Sequence, residues 1–375
     1  MTKTTFIGYR PTWAEVNLRH IAYNLTQVKR FIAPAVKLMC CVKADAYGHG
    51  LIPVSRKLVD CKVDWLAVAS IDEGIRLRQA RIRVPILVLG LMLKKDIEPI
   101  FQYRLTPTVC DEASARILND RARRRINKPI AVHIKVDTGM GRIGVLSGDA
   151  EKLVRLIHGL KFIRIEGLFT HLALADSNRK FTVHQIGLFN RLVERLDASG
   201  IHIPLLHAAN SMAVIDYPQS HFNMVRPGLV LYGLYPKEGI GVTLRPVLSL
   251  KTRAIFVKRV PSNYGISYGH AYVTKQPATI VTLPIGYGDG YPRNLTNRAP
   301  VLIKGGRFRV SGRICMDQMM IDVGNVRVRV GDEVVLIGRQ GKEKITTEEL
   351  AQLSGTIPYE IVCGLGSRIP RIYIE

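Results

Sequence analysis

The amino-acid sequence predicts an α/β protein, with an N-terminal (β/α)8 barrel of the TIM type followed by a mainly antiparallel β domain. Eight short apolar runs carry the first half of that prediction: Val36–Val42, Trp65–Ala69, Pro85–Leu89, Leu105–Val109, Ile130–Val136, Ile163–Phe169, Leu205–Ala208 and Met224–Tyr232. Polar, helix-prone stretches such as Ile71–Ala80, Glu112–Arg124, Asp149–Leu160 and Thr182–Ala198 lie between them. Runs too apolar to alternate suit strands buried on both faces, and eight such strands separated by helices close a barrel. After about residue 240 the texture changes. Leu248–Val257, Thr279–Pro284, Val301–Ile303 and Glu333–Ile337 read as strands between Gly-rich turns, and helical stretches become rare. The domains are therefore expected at 12–240 and 241–375, joined at Gly239-Ile240-Gly241.

The chain has 375 residues, which suits two cores better than one. Apolar residues make up 47% and charged residues 22%, the composition of a folded chain. No apolar run reaches the roughly 20 residues of a membrane helix. The start shows no secretion signal, and the six cysteines have neither framework nor metal-ligand spacing. These features point to the cytoplasm, with no membrane and no metal. Lys plus Arg total 54 against 30 acids, a net charge of +24 that would attract anions. The densest run, Arg121 to Arg125, reads as a solvated helix face. Nucleic acid is disfavoured as a partner because no recognition motif accompanies the charge.

Barrel enzymes carry their chemistry at the C-terminal ends of the strands. The first run ends in Val42-Lys43-Ala44-Asp45-Ala46-Tyr47-Gly48-His49-Gly50. A lysine at that rim can form a Schiff base with a carbonyl cofactor, and Gly48 and Gly50 read as places where backbone approaches a ligand. The fifth run leads into Asp137-Thr138-Gly139-Met140-Gly141-Arg142-Ile143-Gly144. Its G-x-G-x-x-G falls at the fifth strand, not the first turn of an open sheet, so it reads as a tight loop presenting Arg142. His171 and Asn210-Ser211 follow the sixth and seventh runs, the eighth holds Arg226-Pro227-Gly228, and together they suggest one rim with a phosphate site. The second domain offers Tyr268, Tyr287 and Met316 in Gly-rich segments. A tyrosine there serves as acid or base if a cation lowers its pKa.

These segments, with Thr12–Asn17, Met224–Gly233, Gly312–Gln318 and Ile357–Glu360, resemble the bacterial alanine racemases along essentially the whole chain. The resemblance implies that pyridoxal phosphate is the cofactor, that the chain is a homodimer with shared active sites, and that residues 1–11 pack on the β domain. It implies that Lys43 holds the cofactor and that Tyr268, from the other subunit, is the second acid/base. Tyr47, Ser211, Gly228, Leu229 and Tyr359 would hold the phosphate, Asn210 would also bind the cofactor, and Arg226 would face the pyridine nitrogen. His171 would lie beside the ring. Arg142 would reach the phenolic oxygen and the substrate carboxylate, the Met316 N–H would help bind that carboxylate, and Tyr287 would stand at the entrance. Lys135 falls where several family members carry a carbamylated lysine. The implied reaction interconverts L-alanine and D-alanine by two bases and supplies D-alanine for peptidoglycan. A broader racemase acting on serine or lysine and a non-catalytic pyridoxal-phosphate carrier are the alternatives. Tyr287 and Tyr359 argue for a pocket sized for one methyl group, and the complete β domain argues against a carrier.

Overall fold

The computed structural model describes residues 9–237 and 239–375. Parallel pairings run from Thr106–Val109 through Ile86–Val88, Trp65–Val68, Lys37–Cys41, Met224–Val225, Leu205–His207 and Ile163–Phe169 to Ile130–Asp137. Ile130–Asp137 pairs back onto Thr106–Val109, so the ring closes. The expected (β/α)8 barrel is present. Its strands are buried almost residue for residue, which explains their unbroken apolar character. The eighth strand is shorter than expected. It spans only Met224–Val225, and Leu229–Tyr232 is a buried 3-10 turn.

The barrel helices start where side chains can cap them. Ser70 and Glu73 form a capping box at Ile71–Gln79, Asp111 caps Glu112–Arg125, and Asn178 caps Arg179–Ala198. Ile163–Phe169 carries a bulge at Glu166, because Val132 faces Ile165 whereas His133 faces Gly167. Gly167 belongs to the same device. A Cβ there would stand 2.4 Å from His133 Nδ1, so only glycine leaves room for the imidazole inside the barrel.

The second domain is built on a mostly antiparallel sheet and has its own core around Leu250, Val301, Val335 and Leu350. Thr12–Asn17 lies within this sheet, antiparallel to Leu248–Arg253 and parallel to Arg371–Ile374. Residues 12–17 thus pair with the β domain and not with the barrel, because their hydrogen-bonding edges are filled there. The stretch expected as one strand at Leu248–Val257 is two, Leu248–Arg253 and Phe256–Val260, in different sheets. Two helices, Thr347–Ser354 and Pro358–Cys363, also interrupt this domain. Of the segment expected to pack on it, residues 1–8 lie outside the described residues. Arg10 does reach it, donating to the Asp289 carboxylate and to Pro284 O at 3.0 Å.

Candidate active site

A cavity of about 510 Å3 opens at the C-terminal ends of the barrel strands. It is lined by every barrel residue expected at the site: Lys43, Tyr47, Lys135, Arg142, His171, Asn210, Ser211, Arg226, Gly228 and Leu229. Tyr359 joins them from the helix Pro358–Cys363.

Lys43 opens an unusual turn. Ala44, Asp45, Ala46 and Tyr47 all sit in the left-handed region, with φ between 52 and 54°. Each such residue costs roughly 1–2 kcal/mol in an L-amino-acid chain, so the surroundings must impose the conformation. Glu73 does much of this. One carboxylate oxygen accepts from the Ala44 N–H at 2.6 Å and the other from the Ala69 N–H at 2.7 Å, clamping the turn to the next strand end. Asp45 Oδ1 accepts from the Leu51 N–H at 3.0 Å. The neighbouring glycines differ from expectation. A Cβ on Gly48 would meet Val362 O at 2.2 Å and one on Gly50 would meet Tyr373 Oη at 1.9 Å. They admit the C-terminal segment, not a ligand.

The glycine loop after the fifth strand is organised by Asp137. Its Oδ1 accepts from the N–H groups of Gly139 and Met140 at 2.8 Å and of Gly141 at 3.2 Å. Burial pushes this carboxyl up, but the three N–H donors and Lys135 outweigh it and hold its pKa below the usual value. The loop delivers Arg142 to the cavity, as expected.

Beneath the cavity lies a buried polar chain. Arg226 donates to Thr170 O at 2.6 Å, to Ala208 O at 3.0 Å and to His207 Nδ1 at 2.7 Å. A guanidinium has no lone pair to offer, so His207 must accept at Nδ1 and carry its proton on Nε2. That proton is donated to His133 Nδ1 at 2.8 Å, which leaves His133 protonated on Nε2, 3.9 Å from Glu166. Burial, then the Arg226 charge, holds both imidazoles neutral and lowers His133 to about 3. Burial also lowers Arg226, but only to about 10, so it stays cationic. Lys135 lies 5.2 Å and Arg226 5.3 Å from the Phe169 ring centre, one cation-π contact each.

Tyr268, Tyr287 and Met316 do not line this cavity. They form a separate patch on the β domain. Tyr268 stands at the tip of the hairpin Gly265–Ile266/Tyr272–Val273, with Ser267 Oγ donating to Arg313 O at 2.6 Å. Tyr287 N–H donates to Cys315 O at 3.1 Å and Gly288 N–H to Met316 O at 2.8 Å, which knits the other two segments together. The three side chains are 70%, 42% and 53% exposed, respectively Tyr268, Tyr287 and Met316. His270 packs over Gly265, where a Cβ would stand 2.3 Å from its ring.

Sequence reasoning missed Glu73, Phe169, His133 and His207. The Ser70-x-x-Glu73 pattern is a legible capping box and offered a signal for the first. The other three sit within apolar strands and offered none.

The donor set fits an anionic, phosphorylated cofactor. Lys43, Lys135, Arg142 and Arg226 face the cavity against one carboxylate, Asp176. Tyr47, Ser211 and Tyr359 add hydroxyls around the Gly228–Leu229 turn. Gly228 keeps that turn open, for a Cβ would stand 2.6 Å from Tyr47 Oη, and its N–H donates to Ser211 Oγ at 2.9 Å.

Comparison with known proteins agrees with this geometry. Residues 16–236 match the family model of the alanine racemase N-terminal domain, and residues 247–373 that of the C-terminal domain. The chain is 49% identical over 368 residues to an alanine racemase of Halothermothrix orenii, covering 97% of each. It is 45% identical to one of Carboxydothermus hydrogenoformans, covering 97% of this chain and 100% of that one. The solved alanine racemase of Clostridium difficile superimposes with a TM-score of 0.93 at 40% identity, covering 98% of this chain and 97% of that one. That of Bacillus anthracis, solved with bound L-Ala-P, gives 0.92 at 36% identity, covering 99% and 96%.

Proposed function

The chain belongs to the alanine racemases, pyridoxal-phosphate-dependent isomerases, and we propose that it interconverts L-alanine and D-alanine with Lys43 and Tyr268 as its two bases. Pyridoxal phosphate bound in the cavity supplies the electron sink that stabilises negative charge at the substrate Cα. Lys43 would hold the cofactor's carbonyl carbon. Tyr47, Ser211, Tyr359 and the Gly228–Leu229 turn would hold its phosphate, with Asn210 capping the helix that presents Ser211, its side chain accepting from the Ala213 N–H at 3.1 Å. Arg226 would face the pyridine nitrogen. Kept cationic, with its His207 contact accepting rather than donating, it offers that nitrogen no easily lost proton. His171 would flank the ring, and desolvation, then the neighbouring cations led by Arg226, keeps it neutral.

Racemisation needs a proton removed from one face of Cα and returned to the other, hence two groups on opposite sides. One is Lys43. The observation that carries the assignment of the other is the separation of the site into two half-sites. The barrel cavity holds Lys43 but none of Tyr268, Tyr287 and Met316, while Tyr268 and Met316 stand exposed on the β domain. Both are completed if two copies of the chain meet, with Tyr268, Met316 and Tyr287 of one closing the cavity of the other. Arg142 and the Met316 N–H then bind the carboxylate. This reading makes the protein a homodimer with shared sites. The division into a barrel at about 12–240 and a β domain at 241–375 would need its first strand, Thr12–Asn17, moved to the β domain. The six free cysteines, and the absence among the described residues of any helix able to cross a membrane, support action in the cytoplasm, where D-alanine would feed peptidoglycan.

The test is a paired one on purified protein. A borohydride-sensitive visible band should accompany convergence of L-alanine and D-alanine to a near-equal mixture, followed by chiral chromatography. A band without racemisation of alanine would redirect the reading to serine and lysine. No band after addition of pyridoxal phosphate would sink it.

Lys135 should be carbamylated. Burial, then the charges of Arg226 and Arg142, against Asp137, lower its pKa to about 7, so a large fraction is a free amine at neutral pH. That nitrogen attacks the carbon of carbon dioxide and sheds a proton, turning the side chain into an anion whose charge Arg226 and Arg142 favour. Carbon-13 NMR of protein equilibrated with labelled bicarbonate should show one protected carbamate signal, absent from Lys135→Ala. A spectrum with no such signal would establish the free amine.

A further inference from the structure

A second cavity, of about 950 Å3, opens at the opposite end of the barrel, at the N-terminal ends of Trp65–Val68, Ile86–Val88 and Thr106–Val109. Its lining includes Arg78, Arg81, Arg83 and Arg104, with Trp65 and Tyr103 as aromatic walls. Among the described residues none of these four arginines makes an ion pair. The one carboxylate in the lining, Glu166, is already engaged by Arg164 at 3.0 Å. We propose that this cavity binds a small organic polyphosphate of the nucleoside triphosphate class, with the phosphates on Arg81, Arg83 and Arg104 and the apolar ring moiety toward Trp65 and Tyr103.

Three features carry this beyond a basic surface. Arg78 acts as a brace: it donates to Ile82 O at 2.7 Å, Val84 O at 2.8 Å, Tyr103 O at 3.0 Å and Arg104 O at 3.1 Å. It thereby fixes the two loops that carry the other three arginines, and a preformed site spares a ligand the cost of ordering them. Arg81 and Arg104 also occupy strained backbone, with φ of +63 and +49°. Each stands just past a helix, Ile71–Gln79 and Ile97–Gln102, at the place where glycine is the usual residue. Arginine there gives up stability that glycine would supply, which is the expected signature of a side chain retained for what it binds. Finally, a concave site with aromatic walls and a few convergent cations matches a phosphorylated organic molecule better than it matches a duplex, which needs a broad convex or grooved contact.

Isothermal titration of the holoenzyme tests this, since bound pyridoxal phosphate keeps added phosphates out of the catalytic cavity. ATP should bind saturably, once per chain, near physiological ionic strength, and inorganic triphosphate should displace it. Arg81→Gly combined with Arg104→Gly should weaken ATP by at least about tenfold, the loss expected for two charge-assisted contacts. The same double variant should melt at the same temperature or higher, because glycine relieves both strained positions. A purely structural role for these arginines predicts the reverse, a lower melting temperature with unchanged ATP binding. Absence of saturable ATP binding overturns the proposal. So does undiminished affinity in the double variant, or retention of a DNA duplex that ATP does not displace.

Discussion

Tyr268→Phe should lower racemisation by roughly 10²- to 10⁴-fold, the range for loss of a positioned acid–base group, while leaving the fold intact. The side chain is 70% exposed, so its hydroxyl contributes little to the stability of one chain. Lys43→Ala should remove activity and the visible band together. The decisive experiment mixes the two inactive variants under conditions where subunits exchange. If Tyr268 serves the partner's cavity, each mixed dimer carries one site with both lesions and one with neither. With half the dimers mixed, about a quarter of the wild-type sites are restored by the twofold symmetry. If Tyr268 serves its own chain, each site keeps one lesion and activity remains the sum of two residual rates. Recovery near a quarter supports the shared site. No recovery, with exchange proven by mass-tagged subunits, refutes it.

The barrel was legible because strands buried on both faces leave an unmistakable apolar trace, as at Trp65–Val68 and Ile130–Asp137. The same trace misled at Leu229–Tyr232, where all four residues are buried in a 3-10 turn. Apolarity reports burial, and only hydrogen bonding makes a strand. At Leu248–Val257 the break falls at Ala254, whose carbonyl and N–H turn to Gly331 and Asp332, a partnership distant in sequence and invisible in it. The rim residues were readable because strand ends are where barrel chemistry collects. Their supports were not. His133 and His207 point inward from apolar strands, and nothing in the sequence tells an inward histidine from an outward one. Gly48 and Gly50 were read correctly as points of close approach, but the approaching group, Val362 or Tyr373, lies over 300 residues away along the chain.

That close approach leads to a large expected loss of stability. Gly48 has φ of +76°, and a Cβ on it would stand 2.2 Å from Val362 O, a backbone atom that cannot rotate aside. Gly48 O in turn accepts from Arg371 Nε at 3.1 Å, so the turn is held from both sides. Gly48→Ala therefore adds a displacement of the helix Pro358–Cys363 to the left-handed cost of roughly 1 kcal/mol. A total of about 3 kcal/mol or more is expected, among the larger effects of single substitutions. Gly141→Ala is the matched control. It has φ of +68° with no atom within 4 Å, so it should incur the conformational cost alone. Because Tyr359 rides on the displaced helix and Tyr47 precedes Gly48, the first variant should also bind pyridoxal phosphate more weakly. Thermal melts with and without cofactor separate the two effects. Equal melting of Gly48→Ala and Gly141→Ala would show that the C-terminal helix yields freely, and that the left-handed turn below Lys43 is held by Glu73 and Asp45 alone.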